Sequence, residues 1–144
     1  MSNESNKAAV RRWIDEGWNR GQLEVADELF GGDFAAAAMD TVSGELHGVD
    51  DLKGYVRTVR SALPDVRFTV EHLVAEGDKV VGAFRVRGTH TGALWGIPPS
   101  GCEVSFMAID VWRFRDGKIV ERCAAVADFL RALQQMGVIP MLGR

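Results

Sequence analysis

Apolar residues recur with a helical period along the first third of the chain and with a period of two over most of the rest, which places helices before strands. Between residues 7 and 19, Val10, Trp13, Ile14 and Trp18 fall on one stripe while Arg11, Arg12, Asp15 and Glu16 fill the remainder, predicting an amphipathic helix. Leu23, Ala26, Leu29 and Phe30 predict a short second helix stopped by Gly31 and Gly32. In the next stretch, DFAAAAMDTVSGELHG, the alanines favour helix but the flanking glycines favour a short strand pair, and we read it as strand. Leu52, Tyr55, Val56, Val59 and Leu63 restore the helical period up to Pro64.

From residue 66 the alternation predicts two hairpins in series. The first turns at EGDK (76–79) and the second at RDGK (115–118), where Asp116 and Gly117 suit positive φ. The intervening ALWGIPPSGCE is a loop broken by Pro98, Pro99 and Gly101, and DFLRALQQ predicts a last helix. Helices followed by antiparallel strands point to an α+β fold, a curved antiparallel sheet wrapped around N-terminal helices with an apolar pocket between them. Apolar residues on the other sheet face need cover, and a second copy of the same sheet supplies it, so a homodimer is expected.

One residue breaks this pattern. Asp110 lies in SFMAIDVWRF, where alternation puts Phe106, Ala108 and Trp112 on its own face and Met107, Ile109 and Val111 on the other. Neither face reads as open to water, so this carboxylate has a partner or a task. The turn at Asp116 and Gly117 is expected to set Arg122 across the hairpin from it, with both side chains pointing inward.

Length and composition narrow the classes. The 144 residues suit a single domain, and 47% apolar with 26% charged residues is ordinary for a globular protein, with no apolar run long enough to span a membrane. A formal charge of −3 with no basic block argues against nucleic acid as a partner. The polar start MSNESNKAAVRR shows no secretory signal, so a cytoplasmic location is expected. Cys102 and Cys123 lack zinc-site spacing, and His47, His72 and His90 are scattered, so no metal site is expected.

Several blocks, AAVRRWIDEGWNRGQLEVADELF, ALPDVRFTVEHLVAEGDKVVGAFRVRGTHTG, GIPPSG, AIDVWRFRDGKIVE and LQQMGVIP, together and in this order resemble the SnoaL-like polyketide cyclases. That family belongs to the superfamily of ketosteroid isomerase and scytalone dehydratase, and the resemblance runs over roughly residues 7 to 140. It implies a cone-shaped α+β barrel, a homodimer, no metal or organic cofactor, and ring closure by intramolecular aldol addition. It also implies an acid/base Asp on the last strand and a His on the strand before the turn. Counted from DGKI without gaps, the Asp position falls on Ala124 and the His position on Asp110; a second His position falls on Arg122, and an early one on Ala37.

The expected function is therefore a cofactor-free cyclase or isomerase of natural-product biosynthesis, acting on a small hydrophobic carbonyl substrate. The alternative is a pocket protein that binds such a metabolite without turning it over. Asp110 is either a structural ion pair with Arg122 or a general acid/base. Arg122 is either that partner or a group polarising a substrate carbonyl. Asp128 is a helix N-cap, with a place at the pocket mouth as its alternative. Trp13, Phe34, Tyr55, Phe84, Phe106, Trp112 and Ala124 are expected to wall a roomy, apolar substrate pocket.

Overall fold

The computed structural model describes residues 2–36 and 44–142, so Ala37 and Ala38 lie outside the described residues. Helix α1 (Asn3–Arg12) starts at Ser2, whose hydroxyl accepts the Ser5 N–H while the Ser5 hydroxyl takes the Ser2 N–H. The predicted helix does not stay α-helical: Trp13–Asn19 form a π-helical turn, closed by Arg20 N–H to the Asp15 carbonyl at 3.1 Å. The Trp13 indole there lies flat over Gly17, so near that a Cβ on residue 17 would stand 2.3 Å from it. Asn19 fastens the end of this turn to the sheet, its side-chain amide exchanging hydrogen bonds of 3.0 and 2.7 Å with the Phe68 backbone.

Helix α2 (Val25–Leu29) is shorter than predicted, and Phe30 to Gly32 belong to β1 (Phe30–Ala36). Pairing decides this: Phe30 aligns with Ile119 and buries its ring to 4% exposure, a tertiary gain that overrides the local helical period. Strand β2 (Leu46–His47) pairs antiparallel with β1, and α3 (Gly48–Ala62) follows. Strands β3 (Arg67–Glu76), β4 (Lys79–Thr89), β5 (Glu103–Arg115) and β6 (Lys118–Ala127) form the predicted antiparallel meander, and α4 (Phe129–Gln135) ends the domain.

The curved sheet has the order β2-β1-β6-β5-β4-β3. Among the described residues it departs from a wholly antiparallel sheet only at β1, which joins β6 in parallel. The turn between β5 and β6 takes positive φ at Asp116 (52°) and Gly117 (78°), as the sequence requires. Beyond it the register departs from expectation. Two irregularities insert extra residues on β6, the second placing Cys123 and Ala124 against Val111 alone. Arg122 therefore pairs with Trp112, and Asp110 pairs with Ala125, so Asp110 and Arg122 are diagonal neighbours rather than opposite ones.

The inner sheet face and the helices enclose the core, which includes Val10, Ile14, Val56, Phe84 and Ile119. On the outer face Val74 pairs with Val81 and Ile109 with Val126, all four exposed. Ion pairs Arg85–Glu71 (3.2 Å), Arg113–Glu121 (2.9 Å) and Arg87–Glu103 (2.8 Å) lie on strands of the same sheet. Among the described residues no helix is long and apolar enough to cross a membrane.

Candidate functional site

A cavity of about 80 Å³ opens between the inner sheet face and the helices. Strand β5 supplies Phe106, Ala108, Asp110 and Trp112 to its wall, spaced by two because alternate side chains share a face. Strand β6 adds Arg122, Ala125 and Ala127, and the parallel strand β1 contributes Phe30 and Phe34. Trp13 and Trp18 come from the π-helical turn, and Tyr55 and Val59 from α3.

The aromatic walls are locked by contacts among themselves. Trp13 meets Phe30 edge-on (5.0 Å, 77°) and Phe30 meets Phe34 the same way (4.9 Å, 86°), so both strand residues are held from the helical side. Trp18 stacks on Phe68 at 4.5 Å. Phe84 is not on the wall: it is fully buried one layer behind, edge-on to Trp112 (5.7 Å) and Phe68 (6.4 Å). It supports the wall rather than lining it. The cavity, at about 80 Å³, is smaller than the roomy pocket the sequence suggested, and its lining is mostly aromatic and aliphatic.

Asp110 is half-buried, and its cross-strand neighbours are Gly82 on β4 and Ala125 on β6. The missing side chain at Gly82 leaves room for the Phe84 ring, whose Cζ would stand 2.4 Å from a Cβ at that position. Arg122, 8% exposed, stands one step along the same face beside Trp112. The structure thus brings Asp110 and Arg122 to one cavity. It does not bring Asp128 there: its carboxylate caps α4, accepting the Arg131 N–H at 3.1 Å. Ala124 is also displaced, because the bulge gives the facing position to Ala125. A gapless count could not reveal this, since nothing in the polar pattern of ERCAAVAD marks where the extra residue enters.

The remaining titratable groups near the hairpin have structural explanations. Cys123, in the bulge, donates to Glu121 at 3.6 Å, and burial, with Glu121 adding to it, pushes its thiol up from the ordinary range. Glu121 itself is held below the usual carboxylate range by its hydrogen bond from Arg113. His90 is fully buried at the end of β4, its Nδ1 facing the Ser100 hydroxyl at 2.9 Å. Among the described residues no three His, Cys, Asp or Glu side chains gather where a metal ion could be held.

Several lining residues escaped the sequence reading, among them Phe68, Phe129 and Trp95. Trp95, from the loop between β4 and β5, stands on the cavity wall with its ring edge-on to Phe129 (5.0 Å, 90°) and Phe106 (6.4 Å, 62°). It also lines an outer cleft of about 490 Å³, which shares Tyr55 and Val59 with the inner cavity. Its sequence signal was weak: a lone Trp in a Gly and Pro loop.

Comparison with known proteins bears on this geometry. The family model described as SnoaL-like polyketide cyclase matches residues 8–136. Among solved structures, a candidate SnoaL-like polyketide cyclase from Jannaschia sp. CCS1 superposes with a TM-score of 0.85 at 25% identity, covering 96% of this chain and 95% of that one. AclR, a candidate hydroxylase from Streptomyces galilaeus, gives a TM-score of 0.85 at 27% identity over 99% of this chain and 91% of its own. IdmH, a candidate polyketide cyclase from Streptomyces antibioticus, gives 0.77 at 26% identity over 92% and 98%. No curated protein matches the sequence.

Proposed function

Because the chain belongs to the SnoaL-like polyketide cyclase family, we propose that it performs cofactor-independent proton transfer on a small hydrophobic carbonyl compound, closing a ring or moving a double bond. The observation that carries this reading is Asp110, a carboxylate on the inner face of β5 in a cavity otherwise walled largely by aromatic and aliphatic side chains, with Arg122 on the same face.

In this reading the Asp110 carboxylate takes the proton α to the substrate carbonyl, and the C–H electron pair moves into the enolate. Arg122 lies on the side where negative charge then builds on oxygen, and its guanidinium stabilises that charge more in the transition state than in the ketone. The enolate carbon bonds to a second carbonyl carbon of the same molecule. The new alkoxide recovers the proton from the Asp110 carboxylic acid, so the catalyst returns unchanged. The aromatic walls fold the substrate so that the two carbons meet, which supports the rate through proximity.

Asp110→Asn is expected to lower kcat about 10²- to 10⁴-fold, the usual weight of a positioned acid/base, while the fold survives. Unchanged turnover of a substrate identified by metabolite screening would remove Asp110 from the mechanism. The alternative, binding without turnover, is favoured by one feature: Ala125 faces Asp110 across the hairpin, so no second acid/base stands at that position. Mass spectrometry of a bound diketone recovered unaltered after long incubation would support that alternative.

A further inference from the structure

Alternate side chains of β5 face the helices, and this inner row is covered except at its middle. Val104, Phe106, Trp112 and Phe114 are each no more than 5% exposed, whereas Ala108 and Asp110 between them are half-buried and line the cavity. Their partners on β6 are alanines: Ala108 pairs with Ala127 and Asp110 with Ala125, and both of these line the cavity as well. On β4 the partners are Phe84 and Gly82, and the Phe84 ring covers Gly82, its Cζ 2.4 Å from where a Cβ would stand. The space beside Asp110 therefore lies on the β6 side, over three methyl groups.

These alanines differ from the packed ones. Ala26, Ala62 and Ala132 are at most 1% exposed, each covered by its neighbours. Ala108 and Ala127 are half-buried although both sit on the inner sheet face, so their methyls border empty volume. The patch also has a definite size. Neighbouring strands stand about 4.8 Å apart and same-face residues about 6.7 Å apart along a strand, so the four positions span roughly the footprint of one six-membered ring. Phe106 at one end and Trp112 at the other bound it along β5. The volume agrees: an apolar cavity of about 150 Å³ takes up one benzene ring, and the space here is about 80 Å³.

We propose that Ala108, Ala125 and Ala127 are specificity-determining residues, a floor one ring wide beside Asp110 that selects a monocyclic or short-chain carbonyl substrate and refuses two fused rings. The proposal rests on the carbonyl reading of the cavity given above and deepens it by fixing the size of the substrate. A ring lying on Ala125 and Ala127 has Asp110 at its edge and Arg122, the preceding inward residue of β6, beside it. Burial alone would favour the larger ring system, because more apolar surface leaves water. A preference for the smaller one therefore reports the floor.

The test titrates protein labelled at its alanine methyls with cyclohexanone and 1-decalone, and with their oxygen-free counterparts methylcyclohexane and decalin. Cyclohexanone is expected to move the methyl signals of Ala108, Ala125 and Ala127, identified by their loss in the single glycine variants. 1-Decalone should bind at least about 5-fold more weakly. Ala108→Leu and Ala127→Leu fill the space, so each should bind cyclohexanone at least about 5-fold more weakly with no fall in melting temperature. Ala132→Leu, at a packed alanine, should melt lower. 1-Decalone binding as tightly as cyclohexanone, leucine variants at 108 and 127 that bind cyclohexanone like the wild type, or the same variants melting as low as Ala132→Leu would each overturn the floor alone. Asp110→Asn should keep the one-ring preference, which separates size selection from catalysis. Cyclohexanone that binds no better than methylcyclohexane would overturn the carbonyl reading, and the floor is then judged by methylcyclohexane against decalin. Failure of both one-ring probes to bind the wild-type protein would overturn the two readings together.

Discussion

Replacing Gly17 by alanine tests whether the π-helical turn fixes the cavity wall. The added Cβ would stand 2.3 Å from Trp13 Cε3 and 2.4 Å from Cζ3, about 1 Å inside ordinary contact. Neither partner can yield easily, since the indole is 2% exposed and pinned edge-on by Phe30. Overpacking of this kind costs about 1–3 kcal/mol and an indole forced off its rotamer about 0.5–1.5 kcal/mol more, while removing a helical glycine returns about 1 kcal/mol. The net expectation is a loss of roughly 1–3 kcal/mol, or a melting temperature lower by roughly 3–10 °C for a domain of this size. Gly54, inside α3, is the matched control: nothing lies within 4 Å of its virtual Cβ. Gly54→Ala should therefore raise stability by about 0.4–1 kcal/mol. Thermal melts followed by near-ultraviolet circular dichroism read both variants and report the tryptophan environment directly. A Gly17→Ala protein that melts at or above the wild type would show that Trp13 is not held over Gly17 and that the argument for the wall is wrong.

Three further outcomes are expected. Melts of Asp110→Asn, Arg122→Met and the double variant should show a coupling above roughly 0.5 kcal/mol, but below the about 3–5 kcal/mol of a broken, fully buried pair, because the two positions are diagonal and Asp110 is half-buried. Additive effects would separate the two charges. Asp65 accepts the Thr89 N–H and hydroxyl, both at 2.7 Å, and chiefly the backbone bond holds its carboxyl below the usual range. Its folded pKa being depressed, this contribution is present above the unfolded value near 4 and is lost as pH falls through the folded one, so Asp65→Asn should lose stability at pH 7 and show a flatter acid limb. An equally steep limb in urea melts from pH 7 to 2 would remove Asp65 from the acid response. Finally, a second copy is expected to cover the exposed Val74, Val81, Ile109 and Val126, so light scattering should give twice the 15.8 kDa chain mass, and Ile109→Lys should shift it toward the single-chain value. A wild-type mass of one chain at micromolar concentration would contradict this.

The sequence alone determined what depends on neighbours in the chain. The alternation of Val104 through Phe114, the positive φ required at Asp116 and Gly117, and the cap at Asp128 are local properties, and the strand, the turn and the helix start follow from them. The ordered motif blocks identified the family for the same reason, being read residue by residue. The tertiary structure decided what depends on packing between distant segments. Phe30 is a strand residue because Ile119 lies beside it, and Trp13 belongs to a π-helical turn with its ring seated on Gly17. Ala125 rather than Ala124 faces Asp110 because two irregularities on β6 shift a pairing register that the turn alone does not set. Trp95 became visible only once its loop was folded back against Phe106 and Phe129. A bulge or a folded-back loop is chosen by the volume left between sheet and helices, and that volume is a property of all the elements together, which no single window of sequence contains.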